Sequence, residues 1–190
     1  KIPPLWTIPS IILNIQPKEK AFLSVETTRM TMYSEREWRI YMLRLSWLIS
    51  MGISLFGVMI IQHFFTVKPD EVANAGNLGA LGMALVAPFI LLSLFTTYRF
   101  FVESSRHAKD HMMRMIYFVF GVALVIVLIY YANDYKADVF ARLGGDTKTV
   151  GSQIYGFPLL NEYTNSIFIN FYTFGIVHTI IGLAGAVLGM

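Results

Sequence analysis

The chain contains no cysteine among its 190 residues. That excludes disulfides, thiolate-held zinc, iron–sulfur clusters and thiol catalysis. Charge is also scarce: Asp, Glu, Lys and Arg together make up 14% of the chain, against about 25% in a soluble domain. There is no phosphate-binding glycine loop, no nucleophile elbow and no zinc-protease helix, and no internal repeat or low-complexity tract. The net charge of +3 is small and gathers in the connecting segments, which reads as a topology signal and not as a nucleic-acid partner. The apolar run 8–15 is too short for a signal peptide and is interrupted by Pro9. The first residue is Lys, so an initiator Met and further upstream sequence are expected.

What the chain has instead is long runs without charge. Residues 45–65 hold only Gln62 and His63 as strongly polar side chains, and 78–98, 115–131 and 167–190 are similar. Each approaches the ~20 apolar residues needed to cross a ~30 Å hydrocarbon layer at about 1.5 Å per residue. The third run is the shortest and is expected to use Tyr130, Tyr131 and Asn133 at the membrane interface. The expected fold is therefore all-α, an integral membrane four-helix protein with spans at about 45–65, 78–98, 113–132 and 166–190. Residues 1–34 form an N-terminal arm, interfacial or partner-binding, and 35–190 the transmembrane domain. The arm's first part, 1–16, mixes Pro3, Pro4 and Pro9 with Trp6. Ser34, Glu35, Arg36 and Glu37 match a capping box, which predicts a helix start near Glu35.

Basic residues set the orientation. Lys18, Lys20, Arg29, Arg36, Arg39 and Arg44 precede the first span, and Arg99, Arg106, Lys109 and Arg114 lie between the second and third. The other connections carry fewer: Lys68 in one, Lys136, Arg142 and Lys148 in the other. The positive-inside rule places both termini and the 99–114 loop inside. A long outer loop is then expected over 134–165, with Gly144, Gly145, Gly151, Gly156 and Pro158. Loops of that length are usually functional or packed on something.

Helices in lipid associate through close backbone approach and shared hydrogen bonds, not through apolar burial. Gly185 and Gly189, with Gly182 on the flank, give the last span such a face, and Gly52, Ser54 and Gly57 give one to the first. Gly79 and Gly82 loosen the start of the second helix, and Pro88 is placed to kink it. These faces suit either a four-helix bundle or a larger neighbour.

The four histidines are the residues to weigh for redox or metal chemistry. Haem ligation by two of them needs matching depths on facing helices. His63 lies near the outer end of the first span and His178 about a dozen residues into the fourth, roughly 18 Å down, so the depths disagree. His107 and His111, spaced i, i+4 on one helical face with Asp110 nearby, are the candidate metal ligands. The field of Arg106, Lys109 and Arg114 opposes a cation there. His178 and His63 are the polar intramembrane candidates. An ionisable group at such a depth faces protein or a cavity, as a neutral hydrogen-bonding partner or as part of a proton path. No span contains a carboxylate, which argues against an autonomous ion pump.

Phe171, Tyr172, Thr173, Phe174, Gly175, Ile176, Val177, His178, Thr179, Ile180, Ile181 and Gly182 resemble the histidine-bearing helix of subunit III of the haem–copper terminal oxidases. His178 matches that family's second histidine, and Ile180, Ile181 and Gly182 match the residues just after it. Trp47, Leu48 and Ile49 through Phe56 and Gly57 resemble its first span. Asn133, Asp134 and Tyr135 stand where it tends to have Glu-Tyr. The basic inner loop and the long outer loop agree as well. Gly175 replaces the family's first histidine, Gly52 and Ile53 replace its Ser-Glu pair, and its last helix is lacking, so the roles proposed for that Glu are not carried over.

The resemblance implies a non-catalytic accessory subunit of a respiratory oxidase, with no cofactor in this chain and haem and copper in a partner subunit. Its partners would be lipids and other integral membrane subunits, in a prokaryotic cell membrane or the mitochondrial inner membrane. The competing readings are a membrane-anchor subunit of another redox enzyme, either a b-type cytochrome or a metal-dependent monooxygenase, or of a transporter.

Overall fold

The computed structural model describes residues 17–69, 71–72, 76–107 and 111–189. Residues 1–16, Asp110 and Met190 lie outside them, as do the side chains of Arg36 and His111. Two compact units are present, Lys1–Met42 and Leu43–Met190.

Every regular element among the described residues is helical. The helices are α1 (Pro17–Phe64), α2 (Leu78–His107), α3 (His111–Arg142), α4 (Asn165–Phe168) and α5 (Phe171–Leu188). Four stretches are long and apolar enough to span a membrane: Glu37–Phe64, Leu78–His107, Met115–Arg142 and Asn165–Leu188. The chain is a four-helix membrane protein.

The helices overrun the charge-free runs. α1 begins at Pro17, not near Glu35. The Ser34–Glu37 pattern sits in mid-helix because nothing upstream breaks the helix: between Pro17 and Gly52 there is neither Gly nor Pro, and Pro suits a first helical position. α2 continues through Arg99 to His107. α3 continues to Arg142, so most of the expected inner loop and the first part of the expected outer loop are helix. Hydropathy measures contact with hydrocarbon, whereas a helix ends only where its hydrogen bonding is interrupted.

The α3 extension is fastened by its side chains. Tyr135, Val139 and Leu143 recur every fourth residue, and Val139 and Leu143 enter a small core with Ile154, Tyr163 and Ile167. On the exposed side Arg142 pairs with Asp138 at 2.9 Å. The helix then stops in a Schellman motif. Gly144 N–H donates to Ala141 O and Gly145 N–H to Phe140 O, with Gly144 at φ 76°, a left-handed conformation that glycine adopts at no steric cost.

The remaining outer loop, 143–164, is folded on this core. Gln153 N–H donates to Leu143 O at 2.9 Å, and Val67 N–H to Glu162 O at 2.9 Å, which ties the loop to the segment just after α1. The Asp146 carboxylate accepts from the Thr149 hydroxyl at 2.8 Å and from Lys148 N–H at 3.0 Å. The Thr149 hydroxyl, then the Lys148 amide, hold this exposed carboxyl below its ordinary value of 3.8. A lowered folded-state pKa means that the turn's stability is present above the ordinary value and is lost as pH falls through the lowered one. Protection of the amides at 147–149, relative to intrinsic exchange at the same pH, is expected to fall on such acidification, and equally in Asp146→Ala at neutral pH; unchanged protection in Asp146→Ala would show that the carboxylate does not hold the turn.

The fourth span is not one continuous helix. It breaks at Ile169, in extended conformation, between α4 and α5. Asn170 accepts from Thr173 N–H at 2.9 Å while Thr173 Oγ1 accepts from Asn170 N–H at 3.1 Å, a complete capping box at the start of α5. Asn170 also donates to Ser166 O and Ile167 O, so one buried side chain serves both sides of the break. Asn170→Ala is expected to cost about 1–2 kcal/mol, read as a lowered midpoint in reversible unfolding in detergent.

In the membrane layer α5 packs against both α2 and α3, and α2 is hydrogen-bonded to α1. The lateral order is α1, α2, α5, α3. Tyr131 stacks on Tyr172 with centroids 6.0 Å apart, and Tyr135 approaches the same ring, so the C-terminal half of α3 and the start of α5 share an aromatic zone.

Candidate functional site

The polar groups inside the spans converge on one belt. On α2, Ser93, Thr96 and Thr97 are spaced i, i+3, i+4; on α1, Trp47, Ser50 and Ser54 are spaced i, i+3, i+7. Each set lies on one helical face. The Trp47 indole N–H donates to Thr97 Oγ1 at 3.0 Å. The Ser50 and Thr96 hydroxyls are hydrogen-bonded at 2.7 Å. Ser54 Oγ lies 2.7 Å from Phe89 O and 2.8 Å from Ser50 O, donating to these carbonyls. The Trp47 ring stacks flat on Phe100 at 4.4 Å, shielding the inner end of the belt.

Ser93 links this pair of helices to α5. Its carbonyl accepts from Thr96 Oγ1 at 3.0 Å and Thr97 Oγ1 at 2.7 Å, and its hydroxyl lies 2.8 Å from His178 Nε2. His178 Nδ1 faces Phe174 O at 2.8 Å. A carbonyl only accepts, so Nδ1 carries the hydrogen, and in the neutral ring Nε2 accepts from the Ser93 hydroxyl, whose one hydrogen is shared with Ile90 O, also 2.8 Å away. The imidazole also lies 3.9 Å from the Phe174 ring. Ser93 has no exposed surface and His178 is 5% exposed.

A serine and a histidine at this distance have the spacing of a nucleophile and its base. Here the serine oxygen is closed off, and the orienting partner is a backbone carbonyl, not a carboxylate. The pair can do one thing well, which is to hold α2 against α5. Below it the helices approach through glycine. A Cβ on Gly182 would meet the Phe101 ring at 3.1 Å, one on Gly185 would lie 2.7 Å from Tyr98 O, and one on Gly189 2.5 Å from Val102 O. Gly57 faces Val86, and Gly79 and Gly82, read as loosening α2, face Asn165 and Phe65 in close contact. Gly52 differs: nothing lies within 4 Å of its Cβ position, because it is turned away from the Trp47–Ser54 face.

The other histidines stand apart from this belt. His63 is exposed in the last turn of α1 and bonded to Met59 O at 3.1 Å. His107 ends α2, its Nδ1 bonded to Glu103 O at 2.8 Å, and His111 begins α3. The expected i, i+4 face of His107 and His111 falls across residues 108–110, which lie outside the described residues, with His107 at the end of one helix and His111 at the start of the next. Among the described residues no group of three His, Cys, Asp or Glu side chains could hold a metal ion; Asp110 and the His111 side chain lie outside them.

Sequence reasoning singled out His178, Ser54 and the glycines but missed Trp47, Ser50, Ser93, Thr96 and Thr97. Their signal was available as hydroxyl side chains at helical spacing within apolar runs. No protein family, curated protein or solved structure matches the chain.

Proposed function

We propose that this chain is a non-catalytic accessory subunit of a membrane respiratory oxidase, similar to subunit III of the haem–copper family. Its termini would face the cytoplasmic or matrix side, and haem and copper would be held by a partner subunit. The observation that supports this most is the use made of His178. It stands where the resembling helix of that family has its second histidine, and both its ring nitrogens are engaged in helix packing. A subunit built this way contributes a fixed apolar surface to a neighbour. α3 supplies such a surface, with Ile116, Val119, Phe120 and Ile126 all exposed. Its partners would be integral membrane subunits, with lipid in the grooves between them.

Purification in mild detergent from native membranes tests the reading. The chain is expected to travel with a larger multi-helix haem subunit, and that complex to lose haem-protein stability when this chain is stripped away. The stripped chain is expected to show no Soret band. Isolation with a haem ligated by its own histidines, or as a partner of an enzyme without haem, would overturn the proposal.

A further inference from the structure

On the outer side, the side of the 143–164 loop, residues 153–161 contain no charged side chain. Four large apolar residues there are exposed: Tyr155 at 54%, Phe157 at 41%, Leu159 at 59% and Leu160 at 42%. The rest of the loop differs. Of its charged residues, Asp146 and Lys148 lie in the earlier turn and the half-buried Glu162 follows Asn161; of its other apolar residues, Leu143, Ile154 and Tyr163 are buried, and Val150, near the earlier turn, is exposed.

In the turn carrying the two leucines, two backbone carbonyls are satisfied from within. The Asn161 amide donates to Pro158 O at 2.8 Å, and the Thr164 hydroxyl donates to Leu159 O at 2.7 Å. Asn161 Oδ1 in turn accepts from Tyr163 N–H and Thr164 N–H. Asn161 is 2% exposed and Thr164 fully buried. A solvated loop can leave its carbonyls to water. Carbonyls answered by buried side chains are what a backbone needs where water is scarce.

The height of this turn is fixed by its neighbours. Glu162 O accepts from Val67 N–H, three residues beyond Phe64, the last residue of an apolar span and 79% exposed. Asn165 lies against Gly79, next to the first residue of the second span. Counted along α2 from Ser93, which marks the level of His178, Gly79 is 14 residues higher, roughly 21 Å. That is where the spans of α1 and α2 meet the outer interface.

We infer that Tyr155, Phe157, Leu159 and Leu160 form an interfacial anchor seated in the outer leaflet beside the outer ends of α1 and α2. The ligand is the bilayer itself, at the boundary of headgroups and acyl chains. The surface continues the lipid-facing sides of the two spans, and its aromatic, Pro and Leu side chains suit that zone. This inference rests on the membrane reading alone and stands whichever complex the chain belongs to.

The absence of cysteine makes the test direct. Leu159→Cys, Leu160→Cys and, as a control, Lys148→Cys are labelled with a nitroxide in the intact protein in native-lipid vesicles, after size-exclusion shows unchanged folding. Oxygen, which concentrates in lipid, is expected to relax the labels at 159 and 160 several-fold more than a water-soluble nickel chelate does, with the reverse at 148. Chelate access at 159 and 160 equal to that at 148 would place the turn in water and overturn the inference. So would shielding from both reagents, which would mean that a protein partner covers it.

Discussion

Replacing Gly185 with Leu is expected to abolish folding, and Gly185→Ala to destabilise the protein by a net of about 1–2 kcal/mol. The Cβ position at Gly185 lies 2.7 Å from Tyr98 O and 3.4 Å from Val102 N. Those are backbone atoms of α2, so no rotamer change can make room, and the two helices have to separate. Overpacking of this kind costs about 1–3 kcal/mol, offset by at most about 1 kcal/mol from the better helix propensity of alanine. Any separation also loosens Gly182 on Phe101 and Gly189 on Val102, because all three glycines share one face. Gly52→Ala is the control. It meets open space and is expected to leave the midpoint unchanged or slightly raised. Equal effects at positions 52 and 185, in unfolding followed in detergent, would show that the glycines are ordinary helix residues and not contact points.

His178→Ala is expected to cost about 2–4 kcal/mol. The loss combines a cavity beside Phe174 with the broken bond to Ser93, worth about 0.6 and at most about 1.7 kcal/mol between membrane helices. Ser93→Ala alone removes the hydroxyl but leaves the Ser93 carbonyl to Thr96 and Thr97, so it should cost only about 1 kcal/mol. The double-mutant cycle isolates the bond, and a coupling indistinguishable from zero would show that it does not form. The cycle also separates two roles for the histidine. If His178 only fastens helices, the activity of the parent complex should track the amount of folded subunit in every variant. A variant with full subunit content and lost proton uptake would point to a proton path instead.

The spans could be read from the sequence because the hydrocarbon layer imposes its length on each apolar run. The same reading failed at the ends. Charged side chains at Arg99, Arg106, Asp134 and Lys136 mark where lipid contact stops, but helical hydrogen bonding continues past them to His107 and Arg142. At the other extreme Ser34 and Glu37 have the residue types of a helix start without the break in chain direction that makes one, whereas Asn170 and Thr173 have both. The glycines of α5 were legible because small residues at four-residue spacing have few other uses. The hydroxyl belt was not, since serine and threonine barely change hydropathy and their pairing depends on how far α1 slides along α2. His178 was recognisable as a buried polar group, but its partner Ser93, 85 residues away in sequence, could be named only with the helices in place.

The lateral order of the helices bears on how the protein is made. Synthesis delivers α1, α2 and α3 before α5, the element that seats against both α2 and α3. Until it arrives, the Ser93 hydroxyl lacks its His178 partner and the glycine-contacting face of α2 has no mate, while α3 is held through the 143–164 loop bonded to Val67 and not yet by a neighbour seated along its span. α5 acts as a keystone, inserted between neighbours already in position. A nascent chain halted before residue 165 should therefore leave α3 open to proteolysis and to the quality-control proteases of the membrane, while the hydroxyl contacts between α1 and α2 have already formed.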